Sequence, residues 1–450
     1  QDAFVIAQLR AAGTLMIGKT NLDQFAAGLV GVRTPYGAPL NSVDPELVPG
    51  GSSGGSGVIV GHGIVTFSLG TDTAGSGRVP AALNNIVGLK PTLGALSATG
   101  VVPACRTLDT ISIFAMTVDD AYDVFAVARG YDAADAYSKP LSHYPTYAIS
   151  RTLKIGVPDA ASIKFFGDES QASAFDRDVK CLAALGMEIE YFNFEPLFNV
   201  ARMLYEGAWV AERYAVIEEL LADDPDSVYP VTRKIISHAE KMSATDVFRG
   251  IYRLAELKRL AEPFLSSLDA LCVPTIPTFY TVTDLESDPV TPNSNLGTYT
   301  NFVNLLDMCG IAVPTAARSD GLPGSVTLLA KAGMDATVAS LARCFEFDCK
   351  RNLGATRFAL PVPSEQQGES LEHIALAVCG AHMSGLPLNA QLTHLGASFV
   401  TAAKTAAKYK FYALAGGPPL RPGFIRPDHA GGFYCIRDLV PSQSRYGMLS

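Results

Sequence analysis

Four serines stand in glycine-rich surroundings where a hydroxyl could meet a substrate. Ser52, Ser53 and Ser56 lie in "VPGGSSGGSG", and Ser76 lies in "GTDTAGSGRVP". An amide carbonyl is a poor electrophile, so serine chemistry on it requires an activated nucleophile, a base and a preorganised oxyanion site. Gly50 to Gly54 formally fits G-x-S-x-G, the elbow of Ser-His-Asp hydrolases. That pattern carries little information among so many glycines, and the nearby His62 sits on an apolar run that suits a structural residue. Gly50 to Gly57 alone also reads as a flexible linker. Its flanks argue otherwise. Val58-Ile59-Val60 follows at once, then Ile64 to Phe67, and a second small-residue turn opens at Gly70. Two such turns bracketing one apolar element read as a site.

The elements that must position these turns follow from periodicity. Apolar stretches at 58–60, 64–69, 111–115, 153–157 and 271–273 are candidate central strands, and "GTLMIGKTN" reads as a further short buried strand. Helical spacing covers 3–12, 118–129, 171–185, 196–221, 244–265 and 336–351. This alternation predicts an α/β fold with helices covering a sheet. The proline-flanked polar run Pro361 to Ser370 marks a boundary between a large domain, 1–360, and a small one, 361–450.

The pair "GGSSGGS" and "GTDTAGSGRVPAALNNIVGLKPT", with "MIGKTNLDQFA" and "TLDTISIFAMTVDDA", resembles the amidase signature family from about Gly13 through Ala121. The resemblance implies a mixed central sheet with helices on both faces and a Ser–cis-Ser–Lys triad. It makes Ser76 the nucleophile and Ser52 the cis-serine, with the N–H groups of Thr73, Ala74, Gly75 and Ser76 as the oxyanion hole. Ser53 and Ser56 are left to loop hydrogen bonds, Asp72 to buttressing the turn, and Arg78 and Asp109 to the scaffold. The family's lysine is expected upstream of Gln1, so the 1–360 domain is expected to lack its N-terminal part. Lys19, in "IGKTN", matches a different segment of the pattern.

"LYEGAWVAERYA" resembles the substrate segment of allophanate hydrolases within that family, where a tyrosine and an arginine bind a small anionic amide. Here these are Tyr205 and Arg213. On one helix, residues eight apart lie about 80° apart around the axis and about 12 Å along it, so both could flank one pocket mouth. Arginine holds a carboxylate by a planar bidentate contact that lysine cannot reproduce. Glu206 and Glu212 read as surface charges or helix partners. Gly380 to Gly423 resembles the extra C-terminal domain of the same enzymes. That resemblance implies a small α+β domain, expected to be incomplete after Arg426, with His382, Asn389 and Gln391 as polar site candidates and Tyr409 and Tyr412 lining the pocket.

The function expected on these grounds is hydrolysis of the terminal carboxamide of allophanate to ammonia and N-carboxycarbamate, which decarboxylates onward. The alternatives are an amidase for another small amide and a non-catalytic amidase-fold module. The resemblance also implies a homodimer and a functional link to a urea carboxylase. Composition agrees in class: 450 residues, 48% hydrophobic and 18% charged, suit a globular chain. The net charge of −9 argues against a nucleic-acid partner, and no apolar run is long enough for a membrane span. Eight scattered cysteines read as reduced core thiols of a cytoplasmic protein. The seven histidines form no HxxxH or HExxH, so no catalytic metal is expected, and the triad that the resemblance implies needs no organic cofactor.

Overall fold

Aliphatic and β-branched runs bounded by glycine or proline form the strands of one large sheet. The structure, a computed structural model, describes residues 2–149, 152–349, 351–360, 389–390, 410–414 and 421–425. In chain order the strands are β1 (Phe67–Asp72), β2 (Val87–Lys90), β3 (Thr110–Ala115), β4 (Lys154–Pro158), β5 (Glu188–Phe192), β6 (Ala270–Pro274), β7 (Met308–Thr315) and β8 (Gly324–Lys331). They pair in the order β1-β3-β2-β7-β8-β6-β4-β5. The sheet is mixed: β4 pairs in parallel with β5 and β6, and the other pairings are antiparallel.

Side chains of successive strand residues point to opposite faces, and both faces are covered. Ile311, Val313, Leu328 and Ala330 join one core with Val5, Phe125, Val179 and Leu341, which belong to helices. The alternate residues Met308 and Leu329 join a second core with Leu204, Trp209, Leu257 and Phe302. Helices named below are α1 (Phe4–Ala11), α2 (Gly54–Gly61), α3 (Val79–Leu83), α4 (Val118–Ala128), α5 (Glu169–Ala184), α6 (Glu195–Glu206) and α7 (Trp209–Asp223). The chain divides into two compact units, Gln1–Gly368 and Glu369–Ser450. In the second, β9 (Lys410–Leu414) pairs antiparallel with β10 (Arg421–Ile425).

Three expectations are corrected. Val58-Ile59-Val60 is helical, lying in α2, because tertiary ties outweigh the β-branched run: Ser56 Oγ donates to Leu69 O at 2.8 Å and Ser68 Oγ donates to Ser56 O at 2.7 Å. "GTLMIGKTN" forms no strand, and Leu15, Met16 and Ile17 are 87, 60 and 68% exposed. The helix expected over 196–221 is two helices, broken at Gly207, whose extended backbone (φ −124°, ψ −161°) separates α6 from α7. Strands β2, β5, β7 and β8 were not marked by the apolar-run reading.

Candidate active site

The two serine turns meet at the edge of the sheet. Ser52 precedes α2, and the Gly51–Ser52 peptide bond is cis. Gly51 is held so closely that a Cβ there would collide with Asp23 Oδ2 and with the backbone nitrogens of Gly31 and Val30. Asp23 is buried and fixes this loop: its carboxylate accepts from Gly31 N at 3.0 Å and Arg33 N at 2.8 Å, and its own N–H donates to Ser52 O. Ser53 Oγ then exchanges hydrogen bonds with Thr71 N and O, both at 3.2 Å, pinning the loop to the end of β1.

β1 runs straight into the second turn. Asp72 and Arg78, both fully buried, form a two-pronged ion pair with Nε to Oδ2 at 2.9 Å and Nη2 to Oδ1 at 3.0 Å. The same carboxylate accepts from Gly75 N at 2.9 Å and Gly77 N at 3.0 Å. Burial alone raises the Asp72 pKa, but Arg78, with Lys90 and the turn N–H groups, holds it below its ordinary value. Asn304 Nδ2 ties the turn from outside, donating to Asp72 O at 2.7 Å and Leu108 O at 2.9 Å, while Thr300 O accepts from Arg78 Nη2 at 3.2 Å. Asp72 and Arg78 are thus scaffold. Ser76 is what this scaffold presents.

One expected oxyanion donor is corrected. The Gly75 N–H is consumed by Asp72 Oδ1, because the turn closes on that carboxylate. No hydrogen bond among the described residues engages the N–H groups of Thr73, Ala74 or Ser76. Gly75 itself has φ +137° and lies against the Thr300 hydroxyl, so a side chain there is excluded twice over. The Ser52 and Ser76 hydroxyls are buried and have no hydrogen-bond partner among the described residues. Lys19 is exposed.

Tyr205 and Arg213 are brought together, though not by a shared helix. The break at Gly207 folds the start of α7 back on the end of α6, and the guanidinium carbon of Arg213 stands 5.5 Å from the Tyr205 ring centroid. Arg213 is 2% exposed, and Nε, Nη1 and Nη2 have no hydrogen-bond partner among the described residues, nor does the Tyr205 hydroxyl. Burial pulls the Arg213 pKa down, but Tyr205, Cys105, Asp109 and Glu212 more than offset it, so the cation persists. Ala74, in the turn that bears Ser76, belongs to the same apolar cluster as Leu204, Ala208 and Trp209 around the α6–α7 junction.

Sequence reasoning missed several members of this site. Glu212 is a clamp rather than a surface charge: its carboxylate accepts from Thr107 N and Oγ1, both at 2.7 Å, and from Cys105 Sγ at 3.1 Å. Asp23, Thr300 and Asn304 had no signal beyond position, except that Asp23 lies inside "NLDQFA". In the second unit, His382, Gln391 and Tyr409 lie outside the described residues. Asn389 is helical and half-buried, and Tyr412 lies on β9 opposite Gly423. Among the described residues, no group of three or more His, Cys, Asp or Glu could hold a metal ion, and no helix is long and apolar enough to cross a membrane.

The chain belongs to the amidase family, which residues 1–339 match. Residues 374–434 match the allophanate hydrolase C-terminal domain. The chain is 43% identical over 439 residues to the urea amidolyase of Lachancea kluyveri, covering 94% of this chain and 24% of that protein's length. It thus spans about a quarter of the urea amidolyases it matches. It is similar in structure to the allophanate hydrolase of Kluyveromyces lactis (TM-score 0.80, 42% identity, 96% of this chain and 72% of that one). A glutamyl-tRNA(Gln) amidotransferase subunit from Thermotoga maritima shares the fold at a TM-score of 0.68 and 28% identity, over 81% of this chain and 79% of that one.

Proposed function

We propose that this chain is the amide-cleaving part of an allophanate-degrading enzyme. The observation that carries the reading is Arg213, a fully buried cation with three nitrogens unbonded among the described residues. It lies beside the ring of Tyr205, whose hydroxyl is likewise unbonded, and is linked through Glu212, Cys105 and Asp109 to the turn that bears Ser76. Such a pocket favours a small substrate with a carboxylate at one end. Arg213 and Tyr205 hold that carboxylate and leave the terminal carboxamide over Ser76.

Ser76 Oγ attacks the carbonyl carbon, and its proton passes to Ser52 and on to a lysine that the family resemblance puts N-terminal to Gln1. The tetrahedral oxyanion forms against the N–H groups of Thr73, Ala74 and Ser76. The C–N bond breaks, ammonia leaves with the returned proton, and water releases N-carboxycarbamate from Ser76. Decarboxylation then releases carbon dioxide and leaves carbamate, which breaks down to a second ammonia and a second carbon dioxide. The C-terminal candidates His382, Asn389, Gln391, Tyr409 and Tyr412 belong to the decarboxylation. The names of the urea amidolyases support a place in urea breakdown, and a functional link to a urea carboxylase belongs to the same proposal, as does a homodimer.

Ammonia release from allophanate, run beside acetamide with Ser76→Ala as the blank, tests the reading. Turnover of allophanate well above acetamide is expected. Preference for acetamide overturns the anionic pocket and leaves a general amidase.

A further inference from the structure

The loop of residues 104–109, which enters β3, touches both halves of the site and is held by two carboxylates. Asp109 Oδ1 accepts from the Thr73 hydroxyl, and Oδ2 accepts from Ala104 N at 2.8 Å and Cys105 N at 3.0 Å. Glu212, one residue before Arg213, grips the other side of the loop through Thr107 and Cys105. Asn304 adds a third tie between the oxyanion turn and the loop at Leu108.

We propose that Asp109 is a positioning residue that couples the oxyanion turn to the Arg213 pocket through the 104–109 loop. Both acidic groups near Arg213 spend their oxygens on the loop and the turn. Neither forms a contact ion pair with the guanidinium. Asp109 therefore leaves the guanidinium donors free for a ligand, its own oxygens being spent on the loop and the turn. At the same time it fixes Thr73, whose N–H is one of the three left for the oxyanion. An anion on Arg213 presses on the helix that Glu212 ties to this loop, and Asp109 carries that register to the turn. The role concerns the same site as the proposed function and takes from it only the identity of the substrate.

Asp109→Asn keeps the shape but cannot accept all three hydrogen bonds. It is compared with Thr73→Val and with the double variant, using allophanate kinetics and the affinity for malonamate, in which a methylene replaces the central N–H of allophanate. A displaced turn lowers kcat in Asp109→Asn by about a hundredfold. KM and malonamate affinity stay within about threefold, because Arg213 keeps its charge and loses only a rival anion. Thr73→Val lowers kcat less, and the double variant is no worse than Asp109→Asn alone. An unchanged kcat, or a KM and malonamate affinity that weaken in step with kcat, overturns the coupling.

Amide hydrogen exchange supplies a readout that needs no turnover. The N–H groups of 73–76 exchange faster in Asp109→Asn, or in Thr73→Val should the first variant fail to fold, than in the wild type. Equal exchange overturns the proposal whatever the substrate proves to be. Failure of the wild type on allophanate touches only the functional reading.

Discussion

Three of the cations buried around this site, Arg78, Lys90 and Arg213, differ in what holds them. Arg78 makes a two-pronged ion pair with Asp72 and a further bond to Thr300 O. Lys90, on β2, donates to Met308 O at 2.7 Å and Pro91 O at 3.1 Å but touches no carboxylate. Arg213 has no hydrogen bond at all among the described residues. A buried charge is costly unless paired, so an unpaired one persists only where something other than stability retains it. The gradient from Arg78 to Arg213 therefore separates scaffold from pocket.

The largest effect is expected at the scaffold end. Arg78→Met leaves Asp72 buried with two turn N–H groups but no contact cation, and breaking such a pair costs about 3–5 kcal/mol. Chemical denaturation should show that loss, with part of it recovered when Asp72→Asn is added. A loss below about 1 kcal/mol places Arg78 with Arg213 and removes the distinction.

Lys90 tests the middle of the gradient through pH. Burial penalises its ammonium and brings the pKa down from 10.5 to about 8, with Asp72 offsetting only part of the shift. Between those values the unfolded chain holds a proton that the folded chain has released. Stability should therefore rise with pH from about 8 to 10.5, by about 3 kcal/mol from this one group, while below pH 8 the full penalty applies. Urea midpoints across that range measure the slope, and Lys90→Met should flatten it. An equal slope in both proteins shows that Lys90 is not the titrating group.

How much of this was legible in the sequence divides along the same line. The inner bonds of the second serine turn are local: the Asp72 carboxylate meets Gly75, Gly77 and Arg78 within seven residues, so a motif contains them. Strands β3, β4 and β6 were legible because each is a short apolar run, whereas half-exposed β5 carries no such run. The pocket is assembled from distant segments. Glu212 reaches Thr107, and Asn304 reaches Asp72, across separations that no spacing rule encodes. The helical reading of Tyr205 and Arg213 named the right pair with the wrong geometry, because the chain breaks at Gly207 between them. Asp109 was assigned to the scaffold, and its bond to Thr73 lies across a loop that periodicity does not describe.

The smallest effect on stability is expected at Arg213, and it is the most telling. Arg213→Met removes a buried cation that bonds to nothing, and the acidic groups left behind, Asp109 and Glu212, retain their own hydrogen bonds. The unfolding free energy should therefore stay within about 1 kcal/mol of the wild type, or rise, as when buried charges are replaced by apolar side chains of similar size. Malonamate should bind about a hundredfold more weakly, since charge-assisted hydrogen bonds to its carboxylate are lost. Denaturation and calorimetric titration on one preparation read both numbers. A stability loss like that of Arg78→Met, with malonamate binding unchanged, makes Arg213 a structural cation and moves the anion's anchor elsewhere.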